Sequence, residues 1–151
     1  MQSKPSRKLL LAVAVTLGML TGLGSFTFTY SEGASYLSDD PRACTNCHVM
    51  QDHYDAWLHS SHASVATCNS CHIPSTSFVA KYAEKASAGW HHSLAFTTGN
   101  FPDRIRISEG GRRVVEASCR GCHARLTDAI DGHSSSDEAF SCVRCHADVG
   151  H

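Results

Sequence analysis

ACTNCHVM, residues 43–50, holds Cys44 and Cys47 in a C-x-x-C pair, with His48 directly after it and Met50 two positions further on. In C-x-x-C-H, both thiols and the imidazole fall within about one helical turn, so the thiols can bond a porphyrin edge while the imidazole reaches iron. The spacing reads as attachment of a c-type haem. It recurs as Cys68/Cys71/His72, Cys119/Cys122/His123 and Cys142/Cys145/His146, and these four pairs use all eight cysteines. Four covalent haems are implied, and no cysteine is left over for the disulfide framework that an exported, cysteine-rich chain would otherwise suggest.

Zinc is the competing chemistry, because Cys44 to Cys71 and Cys119 to Cys145 approximate the spacing of four-cysteine zinc sites. Zinc gives no reason for a histidine after every pair. Met50 raises a narrower question. The thioether bonds fix the porphyrin edge, so His48 and Met50 are offered to the same face of the first haem. One binds iron and the other packs; chemistry alone favours His48.

Upstream, Leu9 to Tyr30 is a run of 22 uncharged, mostly apolar residues preceded by Lys4, Arg7 and Lys8. It is long enough to span a bilayer, longer than a typical signal-peptide core, and followed by no obvious cleavage site. The expected organisation is a cytoplasmic N-terminus over 1–8, a transmembrane anchor over 9–31 and an outer domain over 32–151. The basic flank places that domain in the periplasm, on an inner-membrane anchor. A cleaved signal remains the alternative. A net charge of −1 on an exported chain argues against a nucleic-acid partner.

Cys44 to Cys68 spans 24 positions and Cys119 to Cys142 spans 23, so the motifs form two pairs, over 44–72 and 119–146. Between them, the segment from about 76 to 96 lacks proline and carries Ala80, Lys81, Ala83, Glu84, Lys85 and Ala86, which predicts a central helix. A second helix is expected from Met50 to His62 with Trp57 and Leu58 on its packed side, and breaks at 99–102 and at Gly110-Gly111. Strand patterns are scarce. The expected fold is mainly α with much irregular structure: one N-terminal transmembrane helix, then short helices packed around four haems that replace an aliphatic core. Arg104, Arg106, Arg112, Arg113, Arg120, Arg125 and Arg144 cluster around the second motif pair, as propionate partners or a solvated basic face. Seven histidines outside the motifs, His53, His59, His62, His91, His92, His133 and His151, are a surplus from which distal ligands can come.

The anchor, the first motif written C-x-x-C-H-x-M, a Ser-His shortly before the second motif and two later motifs resemble the NapC/NirT family of quinol dehydrogenases. Within it, the four-haem form with Met50 is similar to the small membrane subunits of cytochrome c nitrite reductases. The resemblance implies a protein that takes electrons from menaquinol in the membrane quinol pool and relays them through four haem c groups. Its partner would be a multihaem nitrite reductase catalytic subunit, in a hetero-oligomer that reduces nitrite to ammonia. A general quinol dehydrogenase feeding other periplasmic reductases is the alternative within the family. A self-contained terminal reductase is a third possibility.

Residue by residue, the resemblance implies Met50 rather than His48 as proximal ligand of the first haem. It implies His72 for the second, with a lysine donated by the partner. It sets His151 opposite His123 on the third haem, and His62 opposite His146 on the fourth. Quinol would lie beside the first haem near Lys85, in AEKASAGWHHS, and Gln51. The acidic residue of the family falls at about His92, which would serve as proton acceptor or iron ligand instead.

Overall fold

The structure, a computed structural model, describes residues 5–131 and 140–151. Lys4, in the basic flank, and His133, among the surplus histidines, lie outside the described residues. The chain divides into two compact units, one ending at Ser35 and one running from Tyr36 to His151.

In the first unit, Ser6 accepts the amide of Leu9 at 3.3 Å and so caps α1, Arg7–Tyr30. At 24 residues, α1 is long and apolar enough to cross a membrane, and none of its side chains is buried. Phe26 and Tyr30 stack near its end with centroids 5.9 Å apart, the kind of aromatic pair that suits a bilayer interface.

The second unit is built from 3₁₀ turns over Pro41–Asn46 and His48–Met50 and six helices: α2 Gln51–Leu58, α3 Cys68–His72, α4 Phe78–Thr98, α5 Glu109–Cys122, α6 Ala124–Asp131 and α7 Cys142–Cys145. No strand occurs among the described residues, in line with the mainly α, loop-rich expectation. α3 packs on α5, and α5 on α6 and α7. Ala43 alone is buried among the described residues, so the side chains build almost no core among themselves.

α4 matches the expected central helix: Ser77 accepts the amide of Ala80 at 3.1 Å, and Gly99 ends the helix at φ 65°, a left-handed conformation that glycine adopts freely. Two expectations are corrected. α2 ends at Leu58 instead of running to His62, because the chain turns back and the Trp57 indole donates to the Ala66 carbonyl at 3.1 Å; Trp57 is half-buried, but Leu58 is exposed. Gly110-Gly111 does not break the chain but opens α5, since Ser108 accepts the Gly111 amide at 3.1 Å and a capped first turn tolerates glycine.

Candidate functional site: the cysteine and histidine array

Three of the four motifs share one construction. Cys68–His72 is itself a helix, closed by a capping box between Thr67 and Ser70, while His123 and His146 end α5 and α7. The His123 amide donates to the Cys119 carbonyl at 2.8 Å and the His146 amide to Cys142 at 2.9 Å, so each imidazole leaves the same turn that carries its thiols. The first motif differs. Cys47 is extended, at φ −95° and ψ 116°, and breaks the turn between the cysteines and His48. Beyond it, the Met50 amide donates to the Cys47 carbonyl at 2.9 Å. His48 is exposed and Met50 half-buried.

No cysteine is engaged in a disulfide. The motifs follow one another in space in chain order: Cys44 lies by Cys68, Cys71 by Cys119 and Cys122, and Cys142 by Cys119. The fourth motif is tied to the third by Glu116 of α5, whose carboxylate accepts Ser141 Oγ at 2.6 Å and the Cys142 and Val143 amides at 2.9 and 3.2 Å. These are the donors that the start of α7 leaves free. Burial pushes the Glu116 carboxyl up, but the hydrogen bonds pull it below its ordinary value. Arg112 is paired with Glu109, and Arg120 bridges Asp131 and the Phe140 carbonyl, so these two cations are committed to protein partners.

The histidines form two pairs. Nε2 of His72 faces Nε2 of His151 at 3.5 Å, with ring centroids 5.7 Å apart and planes at 17°. The centroids are further apart than the nitrogens by about one ring width, so the nitrogens point at each other end-on. Two metal–imidazole bonds in line need roughly 4 Å, which this gap nearly provides. Burial, then the imidazoles of His151 and His53, push His72 below the usual histidine range, favouring the neutral ligand form. His53 also lies edge-on to His151, at 4.8 Å between centroids.

His62 is the second pair's anchor: its ring lies 6.2 Å from that of His123, and its Nδ1 is 3.1 Å from the Val149 carbonyl. Donation to that carbonyl leaves the Nε2 lone pair free for a metal, as in ligand histidines generally. The family resemblance sets His151 against His123 and His62 against His146. The structure sets His151 beside His72 and His62 beside His123, because the segment ending in Val149 and His151 folds back onto residues 53–72. Nδ1 of His59 and of His91 lies 2.8 Å from the carbonyl four residues before it, so each ring is tied to its own helix.

The donor set fits haem c: paired free thiols at the start of a turn, an imidazole or thioether at its end, and facing imidazoles, in a unit with almost no side-chain core.

Lys85 and His92 lie on one face of α4, two turns apart, with Ala88 and Gly89 between them. Nζ of Lys85 donates to the Ser38 carbonyl at 2.6 Å, to Asp39 Oδ1 at 2.9 Å and to the Leu37 carbonyl at 3.4 Å, and the side chain is only 8% exposed. Asp39 also accepts Lys81 and, at 3.0 Å, the Asn69 amide; hydrogen bonds from Lys81, then Lys85, hold its carboxyl far below the usual range. His92 is exposed. Gln51 starts α2 and donates to Asp55 at 2.8 Å, outside the Lys85 cluster. Sequence reasoning missed Asp39, Asn69 and Glu116. The one available signal was the doubled acid of SDDP: Asp40 is used as a cap, accepting the Arg42 amide at 2.9 Å, which leaves Asp39 free for another task.

Residues 4–151 match the NapC/NirT cytochrome c family, N-terminal region. The chain is 39% identical to the cytochrome c-type protein NrfH of Wolinella succinogenes, covering 97% of this chain and 88% of that protein. It is 31% identical to the cytochrome c nitrite reductase subunit NrfH of Nitratidesulfovibrio vulgaris, over 97% and 86%. Its fold is similar to a chain in the crystal structure of the cytochrome c nitrite reductase NrfHA complex bound to the HQNO inhibitor. The TM-score is 0.63 at 28% identity, over 93% of this chain and 88% of that one. A family match across the whole length, a membrane-length helix and an ordered cysteine–histidine array make this chain a membrane-anchored protein with covalently bound haem c, and it belongs to the NapC/NirT cytochrome c family.

Proposed function

We propose that this chain is the quinol-oxidising, electron-transfer subunit of a cytochrome c nitrite reductase. It takes electrons from menaquinol and delivers them through four haems to a multihaem catalytic subunit that reduces nitrite to ammonia. The observation that carries this reading is the near full-length similarity to NrfH proteins, one of them named as a nitrite reductase subunit. Residues 9–31 would lie in the inner membrane, 1–8 in the cytoplasm and 32–151 in the periplasm, in keeping with Arg7 and Lys8 at the start of α1.

The thiols of Cys44 and Cys47, Cys68 and Cys71, Cys119 and Cys122, and Cys142 and Cys145 would hold the four groups. Met50 would ligate the first, His72 and His151 the second, His123 and His62 the third, and His146 the fourth. The broken turn at Cys47 supports Met50, the facing nitrogens of His72 and His151 support the first histidine pair, and the closeness of the His62 and His123 rings supports the second. When bound, the haems supply one-electron carriers that connect a two-electron donor to a distant acceptor.

The polypeptide's own task is at the quinol. Each quinol gives up two electrons and two protons. Lys85 holds one quinol oxygen by a charge-assisted hydrogen bond, and His92, exposed two turns along the same face, takes a proton outward. Gln51, next to Met50, orients the ring. The adjacency of the motif thiols in chain order supports a relay from the first motif to the fourth.

The test is gentle solubilisation of native membranes, capture of this chain, identification of what accompanies it and assay of menaquinol-dependent nitrite reduction. Recovery of a large multihaem subunit with that activity is expected. Other reductases, with quinol oxidation intact, would make the chain a general distributor, and nitrite reduction by the chain alone would make it a terminal reductase.

A further inference from the structure

Lys85 is an almost fully enclosed ammonium with three acceptors, and an ammonium has three N–H donors. Two of its bonds are short, to Ser38 O at 2.6 Å and Asp39 Oδ1 at 2.9 Å. The third, to Leu37 O at 3.4 Å, is weak by distance and is the one an incoming oxygen can displace at least cost. Asp39 is the only charged acceptor of the three, and a desolvated cation that loses its counter-charge swings to water.

Asp39 is itself held from two further sides. Asn69, inside the second cysteine motif, donates to Oδ1 at 3.0 Å, and Lys81, one turn before Lys85 on α4, donates to Oδ2. The carboxylate therefore joins the 37–39 segment, α3 and α4. It is half exposed, yet two ammonium groups keep it ionised, which makes it a poor proton acceptor and a good fixed anchor.

We propose that Asp39 is a positioning residue for quinol: with the Ser38 carbonyl it fixes two of the three Lys85 donors, aims the third at the quinol oxygen, and references that direction to the second haem motif through Asn69. This rests on the quinol-oxidising reading above.

The test uses the intact complex with its reductase partner, a water-soluble naphthoquinol as donor and, separately, reduced viologen, which feeds the haems without the quinol site. Asp39→Asn is expected to raise the naphthoquinol KM about tenfold, equivalent to ~1.4 kcal/mol, while kcat and the viologen-driven rate stay within about twofold. Asp39→Glu should recover most of the loss. Asn69→Ala, which removes the amide that donates to Asp39 and, at 3.3 Å, to the Ser38 carbonyl but leaves both of these Lys85 acceptors in place, should raise KM by a smaller factor. An unchanged KM in whichever of the Asn and Ala variants still carries four haems overturns the proposal, as does a fall in both rates together, the mark of a purely structural tie. A wild-type complex that uses viologen but not naphthoquinol would instead defeat the quinol-oxidising reading, and this one with it.

Discussion

Nε2 of His72 and Nε2 of His151 face each other end-on across 3.5 Å, although 79 positions separate them in the chain. That relationship is the ground for proposing His151 as a ligand at the second motif and His62 at the third.

If His151 ligates the second haem and His62 the third, His151→Ala and His62→Ala should each convert one different haem from low-spin to high-spin, and the double variant should convert two. Near-infrared magnetic circular dichroism of the purified complex counts them directly. A double variant that loses only one low-spin haem would mean that both histidines serve the same iron.

Met50→His should lower the reduction potential of one haem by roughly 0.1 V, since a thioether favours the reduced iron more than an imidazole does. His48→Ala should leave all four potentials in place, in keeping with the exposed His48 and the extended Cys47. Potentiometric titration of the two variants decides; a shift confined to His48→Ala would reverse the assignment.

Glu116→Ala removes the acceptor for Ser141, Cys142 and Val143 and should destabilise the haem-loaded protein by about 1 kcal/mol, as loss of a helix cap does. The carboxyl is depressed in the folded state, so its contribution is present above the ordinary glutamate value of 4.5 and is lost as pH falls below it. Thermal melts between pH 7 and pH 3 should therefore converge: the gap between wild type and Glu116→Ala closes at the acid end. A gap independent of pH would show that the ionised carboxylate is not what caps α7.

His92→Ala should slow naphthoquinol oxidation about tenfold to hundredfold with the viologen-driven rate unchanged, whereas His92→Asp, another exposed proton acceptor, should keep most of the activity. Equal rates for the two variants would remove His92 from the proton path.

The four C-x-x-C-H motifs made the helical, cofactor-dependent architecture legible, and the run Ala80 to Ala86 with Gly99 beyond it gave the central helix to within two residues at each end. What failed were positions where context outweighs propensity. Gly110-Gly111 reads as a break until Ser108 is seen to cap it, and Leu58 reads as packed until the chain turns away at His59. The histidine partners were not legible from spacing because a ligand answers to what folds back onto it, and Val149 to His151 returns to His62 and His72 from far along the chain. Asp39 was hidden for a similar reason: within Ser38-Asp39-Asp40-Pro41 an acid looks like turn chemistry, and its three partners come from α3 and α4.

With Ala43 the one buried residue among those described, the side chains of the second unit owe little to direct contact with one another and would pack on the cofactors between them. Energetic coupling between substitutions arises mainly where residues touch or share a cavity. Combined substitutions in this unit should thus couple mainly where side chains line the same haem, and at a few direct knots such as Asp39–Lys85, Glu116–Cys142 and Arg120–Asp131. In a protein organised in this way, positions that never touch one another must be redesigned in concert whenever they line the same prosthetic group.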